Sequence, residues 1–291
     1  MLWASATVTS SRAGRLIGSA STVAWMMAIG MLVAVPIALV SGPVPVITPT
    51  LIFWMAASGL GGVAGIVFAY RGLSLGKVGV VAALASTEGA IAAVMSVIAG
   101  EPMTVLVAAM LCVIAGGVAV VALLSGAPEP EAVQAVDAED AQMFVPARLV
   151  RFTAEEQAVL FGAAAAVCFG ISIYGTAKLG ASMSPIAAVV PVRVIGFAVV
   201  FIPLLLSGRL RITRRAVPMV LLIGSAEVFG NAAYAFGAQD SIAIAAVLAS
   251  QFAALSAIGA FLFFKERLSR YQKFGVVVIL VGVAFLTLAR G

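Results

Sequence analysis

Long apolar stretches separated by short polar loops cover most of this 291-residue chain. A membrane-spanning helix needs roughly 20 mostly apolar residues. Nine stretches meet or approach that length: residues 20–40, 50–70, 78–99, 103–125, 157–177, 183–206, 216–236, 241–264 and 274–289. They are too long, and alternate too little, for the strands of an outer-membrane barrel. The pattern predicts an all-α polytopic membrane protein.

The composition and the placement of charge support this prediction. The chain is 63% hydrophobic and only 10% charged, against about 25% charged residues in soluble domains. If the nine spans alternate, all 17 basic residues fall on one side except Lys178, Arg290 and the intramembrane Arg193. The positive-inside rule then places the basic loops in the cytoplasm and the C-terminus outside an inner (plasma) membrane. The lipid bilayer, and not nucleic acid, accounts for the net charge of +5.

Several kinds of chemistry are disfavoured by the residues present. The chain has no histidine and no G-x-x-x-x-G-K-[ST] phosphate loop, so we expect neither a histidine metal site nor ATP hydrolysis. Its two cysteines, Cys112 and Cys168, lie in apolar spans, where packing is their expected role. We therefore predict no cofactor and no metal.

The chain also contains an internal duplication. Residues 70–125 align with 235–290 without a gap at an offset of 165, and upstream the offset is 166, which aligns Trp3 with Phe169. Other aligned pairs are Gly72 with Gly237, Glu101 with Glu266, Arg12 with Lys178 and Gly30 with Gly196. The second copy has five spans, an odd number, so the two copies must have opposite orientations in the membrane.

The duplication defines the expected organisation. A first repeat covers residues 1–125, a flexible cytoplasmic linker covers 126–155, and a second repeat covers 156–291. The first repeat has four clear spans, and residues 1–14 correspond to only the second half of a fifth helix. We therefore expect two inverted repeats of five helices with the first helix truncated, giving nine full spans. We also expect the natural protein to begin upstream of Met1.

The order of these elements resembles the drug/metabolite transporter superfamily, and its EamA-type proteins in particular. The similar segments are Leu-Trp-Ala-Ser at 2–5, Cys-Phe-Gly at 168–170, Pro-Val-Arg at 191–193, Ala-Gly-Glu-Pro at 99–102, Phe-Lys-Glu-Arg-Leu at 264–268, and Gly-Val at 117–118 and 282–283. The resemblance implies ten helices in two inverted bundles and export or exchange of small metabolites without ATP. The chain departs from the family pattern in its truncated first helix. It also has Trp25 and Met27, not arginine, where the second copy has Arg193.

Four spans carry a strongly polar residue near their middle: Glu88, Arg193, Glu227 and Gln251. A charge at the centre of a membrane helix costs roughly 2.5–3.5 kcal/mol on insertion scales and usually faces a cavity or another charge. These residues therefore predict a polar pathway in which Arg193, Glu227 and Gln251 contact the substrate. For Gln251, a hydrogen bond that only joins two helices is an equal alternative.

A second group of polar residues shares one helix face with Glu227. Asn231 and Tyr234 follow it at helical spacing, whereas the equivalent positions in the first repeat are apolar or small: Gly62, Ile66 and Ala69. Polar residues at these positions in only one of the two repeats favour substrate binding by Glu227, Asn231 and Tyr234. The alternative is that Glu227 only forms a structural ion pair with Arg193.

Glu88 and Glu227 are the predicted proton-coupling residues, because loss of water favours the proton-bound form of a carboxylate. A protonated Glu88 bonded to a backbone carbonyl is an equal alternative. The predicted function is secondary transport of a small organic metabolite or drug, amino-acid-like in charge, with efflux driven by proton coupling or exchange. The alternatives are a membrane-embedded lipid-modifying enzyme and a non-transporting scaffold or sensor subunit. Assembly as a homodimer is left open.

Overall fold

The computed structural model describes residues 2–42, 45–75, 81, 84–105, 108–109, 111–113, 116, 153–249 and 278. These ranges contain helices and loops but no strand. The helices are α1 (Leu2–Ile17), α2 (Ser19–Val40), α3 (Pro49–Leu75), α4 (Glu88–Ile98), α5 (Ala154–Gly180), α6 (Pro185–Gly196), α7 (Ile202–Leu206), α8 (Val217–Gly237) and α9 (Ile242–Ala249). A π-helical segment, Phe197–Phe201, joins α6 to α7. The predicted all-α character is thus confirmed for this part of the chain.

Five of the described helical stretches are long and apolar enough to cross a membrane. They are Ser19–Val40, Pro49–Gly72, Glu155–Gly180, Pro185–Leu206 and Val217–Gly237. Each matches one predicted span. The predicted spans 103–125, 241–264 and 274–289, and the linker 126–155, lie partly or almost wholly outside the described residues.

Local sequence signals set several helix ends. At the start of α5, the Thr153 hydroxyl accepts from the Glu156 amide at 3.3 Å, and the Glu156 carboxylate accepts from the Thr153 amide at 2.8 Å. This capping box satisfies two amides that the helix leaves unpaired. At the start of α6, Ser184 caps the amide of Ala187, and Pro185 takes the first helical position. Gly18, with φ +83°, separates α1 from α2, a conformation open to glycine at little cost.

The predicted span over 78–99 contains a turn among its described residues. A turn at Ser86 and Thr87 interrupts the helix, and α4 begins only at Glu88. Both the amide and the hydroxyl of Thr87 donate to the Leu84 carbonyl, at 3.0 and 2.7 Å. Such local side-chain bonding competes with the helical ladder, and apolar content alone does not reveal it. Glu88 therefore lies at a helix start and not in the middle of a helix.

The helices approach one another through small residues. Along α3 and α5, a Cβ added at Gly61 would lie 2.8 Å from the Cys168 carbonyl oxygen. Nearby, the buried Ser58 and Thr176 hydroxyls are 2.7 Å apart. Outward-facing positions are large and apolar instead, as at Leu32, Leu39, Phe53 and Leu206. Small residues between helices and large ones facing lipid are typical of membrane bundles.

Six of these close approaches form three matched pairs. We call a glycine whose added Cβ would lie under 3.0 Å from a facing side chain a glycine notch. Within each pair, the two glycines, and likewise the two facing side chains, are separated by the repeat offset of 165 or 166 residues. The first half supplies the glycine of one notch and the facing side chain of the other. In the first pair, Phe169 lies over Gly65 and Trp3 lies over Gly230. In the second, Ile195 lies over Gly59 and Ile29 lies over Gly224. In the third, Arg193 lies over Gly30 and Met27 lies over Gly196. The packing between the halves is therefore reciprocal.

The Gly61 contact can be tested by adding one methyl group. We expect Gly61→Ala to lower the stability of the purified protein by about 1–3 kcal/mol, because the methyl meets backbone atoms that cannot move aside. Gly237→Ala is the matched control, since its added Cβ would meet only Ala245 at 3.9 Å. Thermal unfolding in detergent, followed by tryptophan fluorescence, measures both. Equal midpoints for the two variants would contradict the predicted tight packing.

Candidate functional site

An intramembrane ion pair joins α6 to α8. The guanidinium Nη2 of Arg193 lies 3.3 Å from Oε2 of Glu227, and the side chains are 2% and 25% exposed. Both residues were predicted to line a polar pathway, and the structure brings them together. Their opposite charges reduce the cost of placing either one inside a membrane helix.

The guanidinium has spare hydrogen-bonding capacity. An arginine carries five N–H donors. One donates to Glu227, Nη1 points at the Met27 sulfur at 3.8 Å, and the buried Nε has no acceptor among the residues that the structure describes. Buried donors are nearly always paired with protein or water. The site can therefore accept a further anionic or polar group beside Arg193.

Asn231 orients the acidic partner. Its side-chain amide donates to the Glu227 carbonyl at 2.7 Å and to Glu227 Oε2 at 3.3 Å. The same carboxylate oxygen thus receives bonds from Asn231 and from Arg193. This leaves Oε1 of the partly exposed Glu227 as the oxygen available to a ligand.

Tyr234, one turn further along α8, is placed differently. It is 5% exposed, and its hydroxyl donates to the Ile173 carbonyl of α5 at 3.0 Å. Its ring lies 6.3 Å from that of Trp3 on α1. The hydroxyl therefore has its partner on α5, and the ring packs in an apolar cluster with Ile173 and Ala177.

Glu88, the other predicted carboxylate, lies half-buried at the start of α4. The structure therefore brings Arg193, Glu227 and Asn231 into direct contact, and among the described residues no hydrogen bond or ion pair joins Glu88 to them. Gln251, the remaining predicted site residue, lies outside the described residues.

Sequence analysis did not assign a role to Glu101, which the structure places at a junction. Its carboxylate accepts hydrogen bonds from the hydroxyls of Ser96 and Ser241, and the Ala243 amide lies 3.4 Å from Oε2. Glu101 thus ties the loop after α4 to the first turn of α9. The available signal was its repeat partner Glu266, which aligns with it exactly at the offset of 165. Within the described ranges, no group of three or more acidic, cysteine or histidine side chains is placed to hold a metal.

Comparison with known proteins identifies the class. The chain matches the EamA-like transporter family over residues 1–123 and 157–288. It therefore belongs to this family, within the drug/metabolite transporter superfamily, as the resemblance implied. Members of the family are transporters, so the protein is a multi-pass membrane protein of a small-molecule transporter type. No curated protein matches the chain.

A solved structure described as "Crystal structure of protein" has a similar fold. Its TM-score is 0.71 at 16% identity, and the match covers 99% of this chain and 93% of that one. Identity at this level shows a shared fold and nothing about the substrate.

The ion pair can be tested by removing one partner and then both. Glu227→Ala leaves Arg193 buried without a counter-charge, and we expect a loss of about 2–3 kcal/mol. Removing one partner of a fully buried pair costs about 3–5 kcal/mol, and the partial exposure of Glu227 reduces this. The double variant Arg193→Met, Glu227→Gln should recover most of the loss. Thermal unfolding measures the cycle, and a double variant less stable than Glu227→Ala would contradict the pairing.

Proposed function

We propose that this protein is a secondary transporter that moves a small, amino-acid-like zwitterion out of the cell across the inner membrane, coupled to protons or to exchange. The observation that carries the proposal is Arg193, a buried guanidinium with one long bond to Glu227 and an unpaired Nε. A membrane helix that holds such a group supplies an anion site away from bulk water.

A substrate carboxylate fits the unused donors of Arg193. Paired N–H groups bind a carboxylate through two parallel hydrogen bonds, whereas Arg193 donates only one hydrogen bond to Glu227, at 3.3 Å. A carboxylate that binds Arg193 in this way releases Glu227 from its partner. The released carboxylate can then bind the ammonium group of the same zwitterion, so no buried charge loses its counter-charge.

Glu88 supplies the proposed link to protons. It adds a second carboxylate to that of Glu227 within the predicted spans, and Arg193 balances only one of the two. The second negative charge can be balanced by a proton or by the substrate's ammonium group. Competition between these two cations for the same carboxylates would couple substrate movement to proton movement.

We further propose that the chain consists of two inverted repeats, 1–125 and 156–291, joined by the cytoplasmic linker 126–155. Three observations support this: the sequence offsets, the two family matches over 1–123 and 157–288, and the reciprocal glycine notches. Inverted repeats commonly place the substrate site at their interface near the membrane midplane. Arg193 of the second repeat, packed on Gly30 and Met27 of the first, lies at such an interface.

The enzyme and scaffold alternatives have less support. EamA-like proteins are transporters, and no described residue favours catalysis.

Transport by reconstituted protein tests substrate class and coupling together. We expect uptake of certain amino acids into proteoliposomes, but not of the matching amides, which lack the carboxylate. Arg193→Met should raise KM roughly 10- to 100-fold, as expected for the loss of a charged hydrogen bond of about 1.5–3 kcal/mol. The double variant Glu88→Gln, Glu227→Gln should remove the dependence on a pH gradient.

Lys178→Met is the matched control, because it removes a cation of α5 whose contact is the Tyr174 ring, 5.2 Å from its centroid. It should leave KM nearly unchanged. Amides carried as well as amino acids would overturn the role of Arg193. Full proton coupling in the double variant would overturn the role of the carboxylates.

The proposed orientation can be tested at two repeat-equivalent serines. Ser41 and Ser207 are both exposed, follow α2 and α7, and are related by the offset of 166. In a background without Cys112 and Cys168, we expect a membrane-impermeant thiol reagent to label Ser41→Cys in intact cells. It should label Ser207→Cys only after permeabilisation. The reverse pattern would place the basic loops outside.

A further inference from the structure

The α2–α6 crossing contains two glycine notches that face each other. A Cβ added at Gly30 on α2 would lie 2.8 Å from Cδ and 3.3 Å from Nε of Arg193. A Cβ added at Gly196 on α6 would lie 2.5 Å from the sulfur and 2.9 Å from Cγ of Met27. In each case the long side chain precedes the glycine of its own helix by three residues and crosses the glycine of the other helix.

The two notches are equivalent in the repeat but different in chemistry. Residues 27 and 30 become 193 and 196 at the offset of 166, so the crossing is one contact made twice. Met27 of the first repeat fills the Gly196 notch with an uncharged thioether. Arg193 of the second repeat fills the Gly30 notch with the stem of the guanidinium that reaches Glu227. The tips meet between the notches, where Arg193 Nη1 points at the Met27 sulfur at 3.8 Å.

The notch at Gly30 holds the stem of Arg193, a buried side chain with little room to move. Arg193 is 2% exposed, and the same added Cβ would also lie 3.4 Å from Val228, next to Glu227. The Arg193–Glu227 bond is already 3.3 Å long, near the outer limit of a hydrogen bond. A displacement of a few tenths of an ångström at the stem therefore suffices to break it.

We propose that Gly30 is a positioning residue of the substrate site. Its missing side chain seats the stem of Arg193 so that the guanidinium lies between Glu227 and the bound carboxylate. The meaning of this seat for transport rests on the proposed function. The effect of this seat on thermal stability is independent of whether the protein transports zwitterions.

A stability cycle on the full chain tests the seat. Gly30→Ala and Gly196→Ala add the same methyl and the same gain in helix propensity at equivalent positions. We expect Gly30→Ala to lower the thermal midpoint by about 5 °C more than Gly196→Ala, because a flexible Met27 yields where a paired Arg193 does not. In an Arg193→Met background, in which both notches face methionine, the difference should fall to about 1 °C or less.

Two results would overturn the proposal. One is an equal drop for the two alanine variants, and the other is a difference that persists in the Arg193→Met background. If Gly30→Ala alone does not fold, the double variant decides, since folding restored by Arg193→Met supports the seat and continued failure contradicts it.

Transport separates positioning from general packing. For an amino acid that the reconstituted protein carries, Gly30→Ala should raise KM roughly tenfold with little change in kcat. This is the size expected when one charged hydrogen bond is weakened by roughly tenfold in binding. Gly196→Ala should change KM much less. A fall in kcat alone, or equal effects of the two variants, would contradict positioning. Absence of any transport by the unsubstituted protein would contradict the proposed function and leave the stability result as it stands.

Discussion

The structure depends on how closely its helices can approach one another. Lipid tails are as apolar as the side chains they replace, so helices in a membrane gain little from hydrophobic burial against one another and associate through close packing. In this protein the approach occurs at glycines, where a ring or a long side chain from one helix occupies the space left by the absent side chain of another helix. The notches set how α1 meets α8, how α3 meets α5 and α6, and how α2 meets α6. They also determine which polar groups can touch.

The ion pair is the part of this frame that is not duplicated. Met27 occupies the notch equivalent to that of Arg193, and Gly62 aligns with Glu227. The two halves therefore share a scaffold, and only one of them carries the charged pair. This arrangement gives each charge of the pair a partner of opposite sign, which offsets part of the cost of burying it. The frame can thus remain reciprocal while the chemistry is one-sided.

Features that depend on residue type and spacing were predictable from the sequence. Span positions followed from apolar length, and the contact of Asn231 with Glu227 followed from four-residue spacing on a helix. The break before Glu88 was missed because it depends on the Thr87 hydroxyl donating to the Leu84 carbonyl, which a count of apolar residues does not register. The same limit applies to Glu101 and to the Tyr234 hydroxyl. Their partners are distant in sequence, and no local pattern identifies such partners.

The tie formed by Glu101 has a mechanical consequence. Within the described residues, the helices α1 to α6 and α8 are each keyed to a neighbour by a side chain seated over a glycine, and sliding such a contact forces atoms into overlap. The described part of α9 has no such key: Gly237 approaches it only at ordinary contact distance, and its first turn is held by hydrogen bonds to one carboxylate. Hydrogen bonds can be exchanged for water at the membrane surface with little loss. Apart from α7, which continues α6, α9 is therefore the described helix that is held by exchangeable hydrogen bonds and by packing of small apolar residues, with no side chain over a glycine.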